Sequence, residues 1–299
     1  MTSLDINRGR PVLSEHGRLS AVAVKHARDA FTSDASIAAQ WNALNFSAPP
    51  DFSRALSEYD RFLEIIAGTG CKIVSLPQGH GLTLDSIYAR DASVISADGI
   101  ILASMGKASR ANEPAAQGEV MWREGWPIAG SIASPGRLEG GDLVWLDQRA
   151  LAVGLGARTN DEGIRQLKAV LDGSLDELIV VPLPDDAGQH DVMHLMSLIS
   201  PVDSDLAVIY SRLLPEAFRL TLLQRGYEFV DVPDAEYETM GTNVLALGPR
   251  ECVMLNGNPK TRAALEKAGA HVHVYDGEEI SLKGGGGPTC LTRPLARLG

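Results

Sequence analysis

The residue best suited to nucleophilic chemistry is Cys290, in the run GGGGPTCLTRPL near the C-terminus. Gly284 to Gly287 remove four side chains ahead of it and let a backbone come close to another group. A thiol becomes a strong nucleophile when its pKa is lowered or a base stands near. The bland alternative is a flexible tail with an incidental cysteine. Cys71 in CKIVSLP and Cys252 in ECVMLNG lie in apolar, strand-like runs and read as buried small hydrophobes. Three widely spaced cysteines make neither a disulfide framework nor a zinc pattern, and fit a reducing compartment.

A base is available in HDVMHLMS. His194 has an apolar frame, with Met193 before it and Leu195 after it. A lone histidine in such a frame is either a structural hydrogen-bonder or a general base. His190, in the polar stretch DDAGQHD, is the other candidate. LEGGD sets Glu139 and Asp142 around two glycines that permit a crowded backbone. A buried carboxylate there could grip a guanidinium in bidentate fashion or orient a histidine, and the competing reading is a β-bulge with solvated acids. In DSIYARD, a strand would put Asp85, Ile87, Ala89 and Asp91 on one face, with Arg90 pointing the other way. Two carboxylates on an apolar face need cations or donors, from a ligand or from a salt bridge.

The elements that must position these residues alternate short strands with helices. The segment 51–70 has Leu56, Tyr59, Leu63 and Ile66 at helical spacing, with Gly68 as a stop, and leads into the strand CKIVSLP. SIYARDASVIS and IILASM flank Asp98-Gly99, a hairpin signal. LEGGDLVWLDQRALAVGLG repeats that pattern with its turn at DQR. A helix capped by Thr159 or Asn160 follows, with Ile164, Leu167, Val170 and Leu171 apolar and Gly173 after them, and then the strand ELIVVPLP. DLAVIYSRLLPEAFRLTLLQRGYEFVDVP reads strand, helix, strand. TNVLALG, ECVMLNG, NPKTRAALEKAG and HVHVYD read strand, strand, helix, strand. Units of about 50–60 residues would fit the chain about five times, as a repeat of pattern rather than of letters. No linker-like or low-complexity stretch divides the chain, so residues 1–299 are expected to form one domain, with 1–18 a polar N-terminal tail.

The bulk properties exclude several classes. The chain has 299 residues, 44% hydrophobic and 22% charged, which suits a globular protein with a substantial core. No run approaches the ~18 apolar residues of a membrane-spanning helix. The start lacks a basic end followed by an apolar run, so no secretory signal is read there, and a cytoplasmic location is expected. A net charge of −11 would repel a phosphate backbone, so no nucleic-acid partner is expected. An acidic protein can attract cationic small molecules.

Glu139 in LEGGD, His194 in a hydrophobic-His-Leu frame, and a glycine-rich loop before Cys290 together resemble the guanidine-modifying superfamily. That superfamily contains dimethylarginine dimethylaminohydrolases, arginine and agmatine deiminases, and amidinotransferases. The chain is most similar to the first of these. Asp85 and Asp91 match the family's Asp-x5-Asp element, Ser109-Arg110 its Ser-Arg, and Ala157-Arg158-Thr159-Asn160 its Ala-Arg-Thr-Asn. TNVLALGPRECVMLNGNPKTR also matches, with Asn243 at the recurring asparagine.

The resemblance implies a five-bladed α/β propeller, the pentein fold, built of ββαβ modules around a central pocket. It implies that Cys290 attacks, that His194 is the general acid and base, and that Asp91 and Glu139 grip the guanidinium. Arg110 and Arg158 would hold a substrate carboxylate and Asp85 its amino group. Tyr88 and Asp142 complete the expected substrate-binding set. The partner is a small-molecule guanidine, no cofactor or metal is required, and a homodimer is compatible with the resemblance.

Two departures matter. Deiminases and amidinotransferases usually carry an aspartate two residues after the catalytic histidine, where this chain has Met196. This favours a substrate with a substituted terminal nitrogen. Against that, GGGGPTCLTRPL looks more like the deiminase C-terminus. The readings carried forward are a methylarginine hydrolase, a deiminase or amidinotransferase on another guanidine, and a non-catalytic propeller that binds a partner.

Overall fold

Five three-stranded sheets, each built to the same plan, form the computed structural model, which describes residues 12–184 and 193–299. In each sheet a short strand pairs antiparallel with a central strand. A helix then leads to a third strand parallel to the central one. Ser93–Ser96, Gly99–Leu102 and Ile128–Ser131 form one sheet, with the helix Glu113–Arg123 in the crossover. Leu143–Trp145, Ala150–Leu155 and Glu177–Pro182 repeat it around the helix Asp161–Val170. Ile199–Pro201, Leu206–Ile209 and Glu228–Asp231 follow, with Glu216–Gln224 between the last two. Val244–Gly248, Glu251–Leu255 and His271–Tyr275 form the fourth, around Pro259–Lys267.

The fifth sheet closes the ring. Its central strand Arg18–Val24 pairs parallel with Lys72–Ser75, across the helix Phe52–Gly68. Its antiparallel partner comes from the other end of the chain, Thr292–Leu298. The ββαβ pattern read from the sequence is therefore present five times, one copy split between the termini.

Local chemistry explains why these segments fold as they do. Asn160, not Thr159, caps its helix by accepting from the Gly163 amide at 2.9 Å. Asp51 caps Phe52–Gly68 in the same way, through the Arg54 amide. That helix ends at Gly68, and Gly70 takes φ +73°. Its fully buried stripe is Ala55, Tyr59, Phe62 and Ile66, one position round from the expected Leu56 and Leu63, which are half-buried. The Asp98-Gly99 turn forms as read, with Ser96 opposite Gly99.

Two expectations are corrected. The segment 85–91 is not a strand: Leu84–Ile87 is a short 3-10 helix, a turn follows, and the strand begins only at Ser93. Its i, i+2 spacing imitates a strand, but Asp85 reaches the pocket from the 3-10 helix and Asp91 from the turn after it. The N-terminal segment is also not a free tail through residue 18. Residues 1–11 lie outside the described residues, but Leu13 and Glu15 are buried and Arg18 opens a strand. Glu15 forms an ion pair with Arg90 at 2.6 Å and accepts from the Trp145 amide.

Candidate active site

The candidate site residues come from equivalent places in the five modules. Each lies in the turn just before the antiparallel strand of its sheet. Asp85, Tyr88 and Asp91 precede Ser93, and Glu139 and Asp142 precede or adjoin Leu143. His194 precedes Ile199, Asn243 precedes Val244, and Cys290 precedes Thr292. The pseudo-repeat thus points five loops at one cavity of about 1070 Å³, whose wall includes Asp85, Asp91, His194, Met196, Asn243 and Cys290. His190 lies outside the described residues.

His194 is the electrostatic centre. Its Nε2 is 2.8 Å from Glu139 Oε2, and its Nδ1 is 3.8 Å from Asp91 Oδ1. Burial alone would lower its pKa, but Asp91, Asp142 and Glu139 outweigh burial and push it up to about 9. Gly141 makes this crowding feasible, because a Cβ there would come within 2.6 Å of His194 Nδ1 and 2.7 Å of Asp91 Oδ1. Glu139 is fully buried. Burial opposes its ionisation, yet the hydrogen bond and charge of His194 with the charges of Arg110 and Arg158 hold its pKa below the usual carboxylate range. Oε1 accepts from the Gly106 amide at 2.8 Å, and Arg158 Nη1 lies at 3.2 Å. Of the two roles read for Glu139, orienting a histidine is the one this geometry presents.

Asp142 differs from its expected role, since it binds protein rather than facing the cavity. It is fully buried, accepts from Thr159 Oγ1 at 2.6 Å and from the Leu195 amide at 3.0 Å, and so fixes the turn that carries His194. Burial pushes its pKa up to about 6. Arg110 lines the cavity, but its guanidinium is already engaged by protein: it donates to Glu113 at 2.9 and 2.8 Å, to Asp91 Oδ2 at 2.6 Å and to the Tyr88 carbonyl at 2.9 Å. It holds Asp91 in place instead of presenting a free fork to a carboxylate. Asp91 Oδ1 is left on the cavity wall without a hydrogen-bond partner among the described residues, although Asp91 is only 3% exposed. A buried carboxylate oxygen so placed is a receptor for a cationic donor.

Asp85 forms an ion pair with Lys107 at 2.9 Å, and the same ammonium donates to the Leu44 carbonyl at 2.9 Å. Sequence reading missed Lys107 and Glu113. Glu113 sits three residues after Arg110 at helical spacing, which could have revealed it. Nothing local marks Lys107, because its partners are 22 and 63 positions away.

Cys290 is held at the cavity wall by Asn243, whose Nδ2 is 3.4 Å from Sγ, while Thr289 donates to Asn243 Oδ1 at 2.7 Å. The glycine run has a packing reason. A Cβ on Gly286 would fall 2.3 Å from Tyr88 Cε1, and one on Gly284 would fall 2.0 Å from the Tyr88 hydroxyl. Burial and the charge of Asp91 push the Cys290 thiol pKa up, against the lowering effect of Asn243 and Thr289. That shift favours the thiol over the thiolate in the resting site.

A ring of five ββαβ modules with a cysteine, a histidine and carboxylates around the central cavity is the α/β propeller of the guanidine-modifying superfamily. The chain belongs to the dimethylarginine dimethylhydrolase family: the profile described as "N,N dimethylarginine dimethylhydrolase, eukaryotic" matches residues 30–297. Among curated proteins, an uncharacterized protein of Bacillus subtilis is 30% identical, covering 81% of this chain and 80% of its own. The dimethylarginine dimethylaminohydrolase of Streptomyces coelicolor is 27% identical over 83% and 88%. The Pseudomonas aeruginosa dimethylarginine dimethylaminohydrolase complexed with citrulline superposes with TM-score 0.73 at 20% identity, over 94% of this chain and 100% of that one. The N-terminal domain of a cyanobacterial arginine dihydrolase gives 0.76 at 16% identity, over 93% and 97%. At such identities the solved structures speak to the fold. Of these relatives, the Streptomyces and Pseudomonas proteins are named as dimethylarginine dimethylaminohydrolases and the cyanobacterial one as an arginine dihydrolase. Among the described residues, no helix is long and apolar enough to cross a membrane.

Proposed function

We propose that this protein hydrolyses an Nω-methylated arginine to a ureido amino acid and methylamine or dimethylamine, with Cys290 as nucleophile. The observation that carries the reading is that Asp91, on the wall of the cavity that also holds Cys290 and His194, keeps a carboxylate oxygen, Oδ1, with no hydrogen-bond partner among the described residues and only the longer 3.8 Å ion pair to His194. A guanidinium bound there offers N–H donors to a buried carboxylate and brings its carbon to the thiol.

The resting thiol suits this mechanism. A bound cation lowers the thiol pKa, so that the thiol releases its proton to solvent and the nucleophile forms when substrate arrives. The thiolate then attacks the guanidinium carbon, forming an S–C bond and a tetrahedral adduct. His194, protonated through the neutral range, gives its proton to the leaving nitrogen as the C–N bond breaks. The S-alkylthiouronium that remains is attacked by water, which loses a proton to His194. The C–S bond breaks, releasing the ureido product and regenerating Cys290. Glu139 keeps the imidazole oriented and compensates its charge. These steps need no metal or organic cofactor.

Met196 supports the choice of substrate. It places an apolar thioether on the cavity wall where relatives of the deiminase type carry a carboxylate, and an N-methyl group suits that surface better than a bare N–H. At the far end, the substrate ammonium would take Asp85 and displace Lys107, which can then meet the substrate carboxylate together with Arg158. Incubation with asymmetric dimethylarginine, monomethylarginine and arginine, assayed for alkylamine, ammonia and ureido product, tests the reading. Alkylamine release with little ammonia from arginine supports it, and turnover of arginine alone would replace it with a deiminase.

A further inference from the structure

Away from the cavity, the fourth sheet carries a group of side chains that the hydrolysis does not use. His271 and His273 alternate along the edge strand His271–Tyr275, so both point to one face. Its parallel neighbour Glu251–Leu255 is in register, with Glu251 opposite His271. Glu251 therefore shares that face. Its Oε1 is 3.0 Å from His273 Nε2 and 4.0 Å from His271 Nδ1, and all three ligand atoms lie within 4.8 Å of one another. None of the three residues lines the cavity.

We propose that Glu251, His271 and His273 form a surface site for a divalent transition metal of the zinc class. Two imidazoles and one carboxylate are a borderline donor set that suits zinc, nickel or copper and disfavours the all-oxygen cations calcium and magnesium. Ligand atoms of a tetrahedral ion at about 2.0–2.1 Å lie about 3.3 Å apart, and the two distances from Glu251 bracket that spacing. Small rotations of exposed side chains complete the fit, since side-chain exposure is 71% for His271, 47% for Glu251 and 31% for His273. Three ligands from one face leave further coordination positions turned toward solvent. The ion ties the edge strand to its neighbour and so stabilises the folded state by mass action.

The buried group Asp91, Glu139 and His194 also has ligand atoms within reach of one ion, so the test must separate the two places. Zinc is titrated calorimetrically into full-length Cys290→Ser protein and into the same protein carrying His271→Ala and His273→Ala. Thermal unfolding is followed in parallel, with and without zinc. The proposal predicts a saturable zinc site and a zinc-dependent rise in the unfolding midpoint, both lost in the histidine variant. Calcium and magnesium should bind neither protein. Turnover of otherwise wild-type His271→Ala/His273→Ala protein, assayed without added metal, should match the parent. An identical zinc isotherm in both proteins would assign the binding to the cavity and overturn the proposal, as would the absence of binding in the parent.

Discussion

Arg90 and Asp91 are neighbours in sequence, yet they enter two buried ionic networks of opposite character. Asp91 joins Arg110, Glu113, Glu139, Arg158 and His194, a network in which carboxylates and cations alternate and from which Asp91, Arg110, Arg158 and His194 line the cavity. Arg90 joins Glu15, Arg293 and Arg297, where three guanidiniums share one carboxylate. Burial and the charge of Arg90 drive the Arg293 pKa well down, and burial takes Arg297 down to about 10. The first network raises the proton affinity of a histidine and leaves one carboxylate oxygen of Asp91 without a hydrogen-bond partner among the described residues. The second ties the N-terminal segment and the C-terminal strand to the ring. Polar burial in this protein therefore has two uses, shaping the cavity and closing the ring, and the two networks touch where Asp91 faces Arg293.

The largest effect expected to sharpen this contrast is Cys290→Ser, which should lower kcat by roughly 10⁴-fold or more while calorimetry still detects substrate binding. Next, Glu139→Gln keeps the shape but removes the charge beside His194, and should cost about 10²–10⁴ in kcat. Its high-pH limb should move to lower pH. Glu15→Gln should do the reverse: it leaves three buried arginines without their shared carboxylate and should destabilise by about 3–5 kcal/mol in denaturant unfolding. Turnover per folded molecule should stay unchanged. If Glu15→Gln lowered kcat without lowering stability, the division between the networks would fail.

A smaller effect is expected at the rim. Lys107→Met should raise KM several-fold for substrates with an α-carboxylate and leave kcat within about two-fold, because the group contacts the part of the substrate that does not react. Equal losses in kcat and KM for a truncated guanidine without the amino acid end would contradict that placement.

The smallest expected signal is in stability against pH. Folded His194 keeps its proton up to about 9, whereas an unfolded histidine releases it near ~6.5. The unfolded state therefore binds fewer protons between those values. The contribution of His194 is full below ~6.5 and is lost as pH rises to about 9. His194→Asn should flatten that part of the unfolding profile.

Much of the fold was legible because each module announces itself by paired short strands and a capped helix. Asn160 and the Asp98-Gly99 turn are local signals, and local signals survive tertiary packing. The segment 85–91 was misread because alternating Asp85, Ile87, Ala89 and Asp91 satisfy a period of two while lying in a 3-10 helix and the turn after it. Cys290, His194 and Glu139 stood out as candidates in their glycine-rich or apolar frames, and only the family resemblance singled them out from the bland alternatives. The engagement of Arg110 and Asp142 by protein groups was not visible, since it depends on partners such as Glu113 and Thr159 being brought to hydrogen-bond distance. Glu15 escaped notice for the same reason: only closure of the ring places it beside Arg90.

The central claim is covalent attack by Cys290 on a guanidinium carbon. Acid-quenched reactions with asymmetric dimethylarginine, analysed by intact-protein and peptide mass spectrometry, test it directly. The account predicts a transient adduct on the peptide containing Cys290, formed before the ureido product and absent from Cys290→Ser. Undiminished turnover by Cys290→Ser, or an adduct located on Cys71 or Cys252, would contradict it.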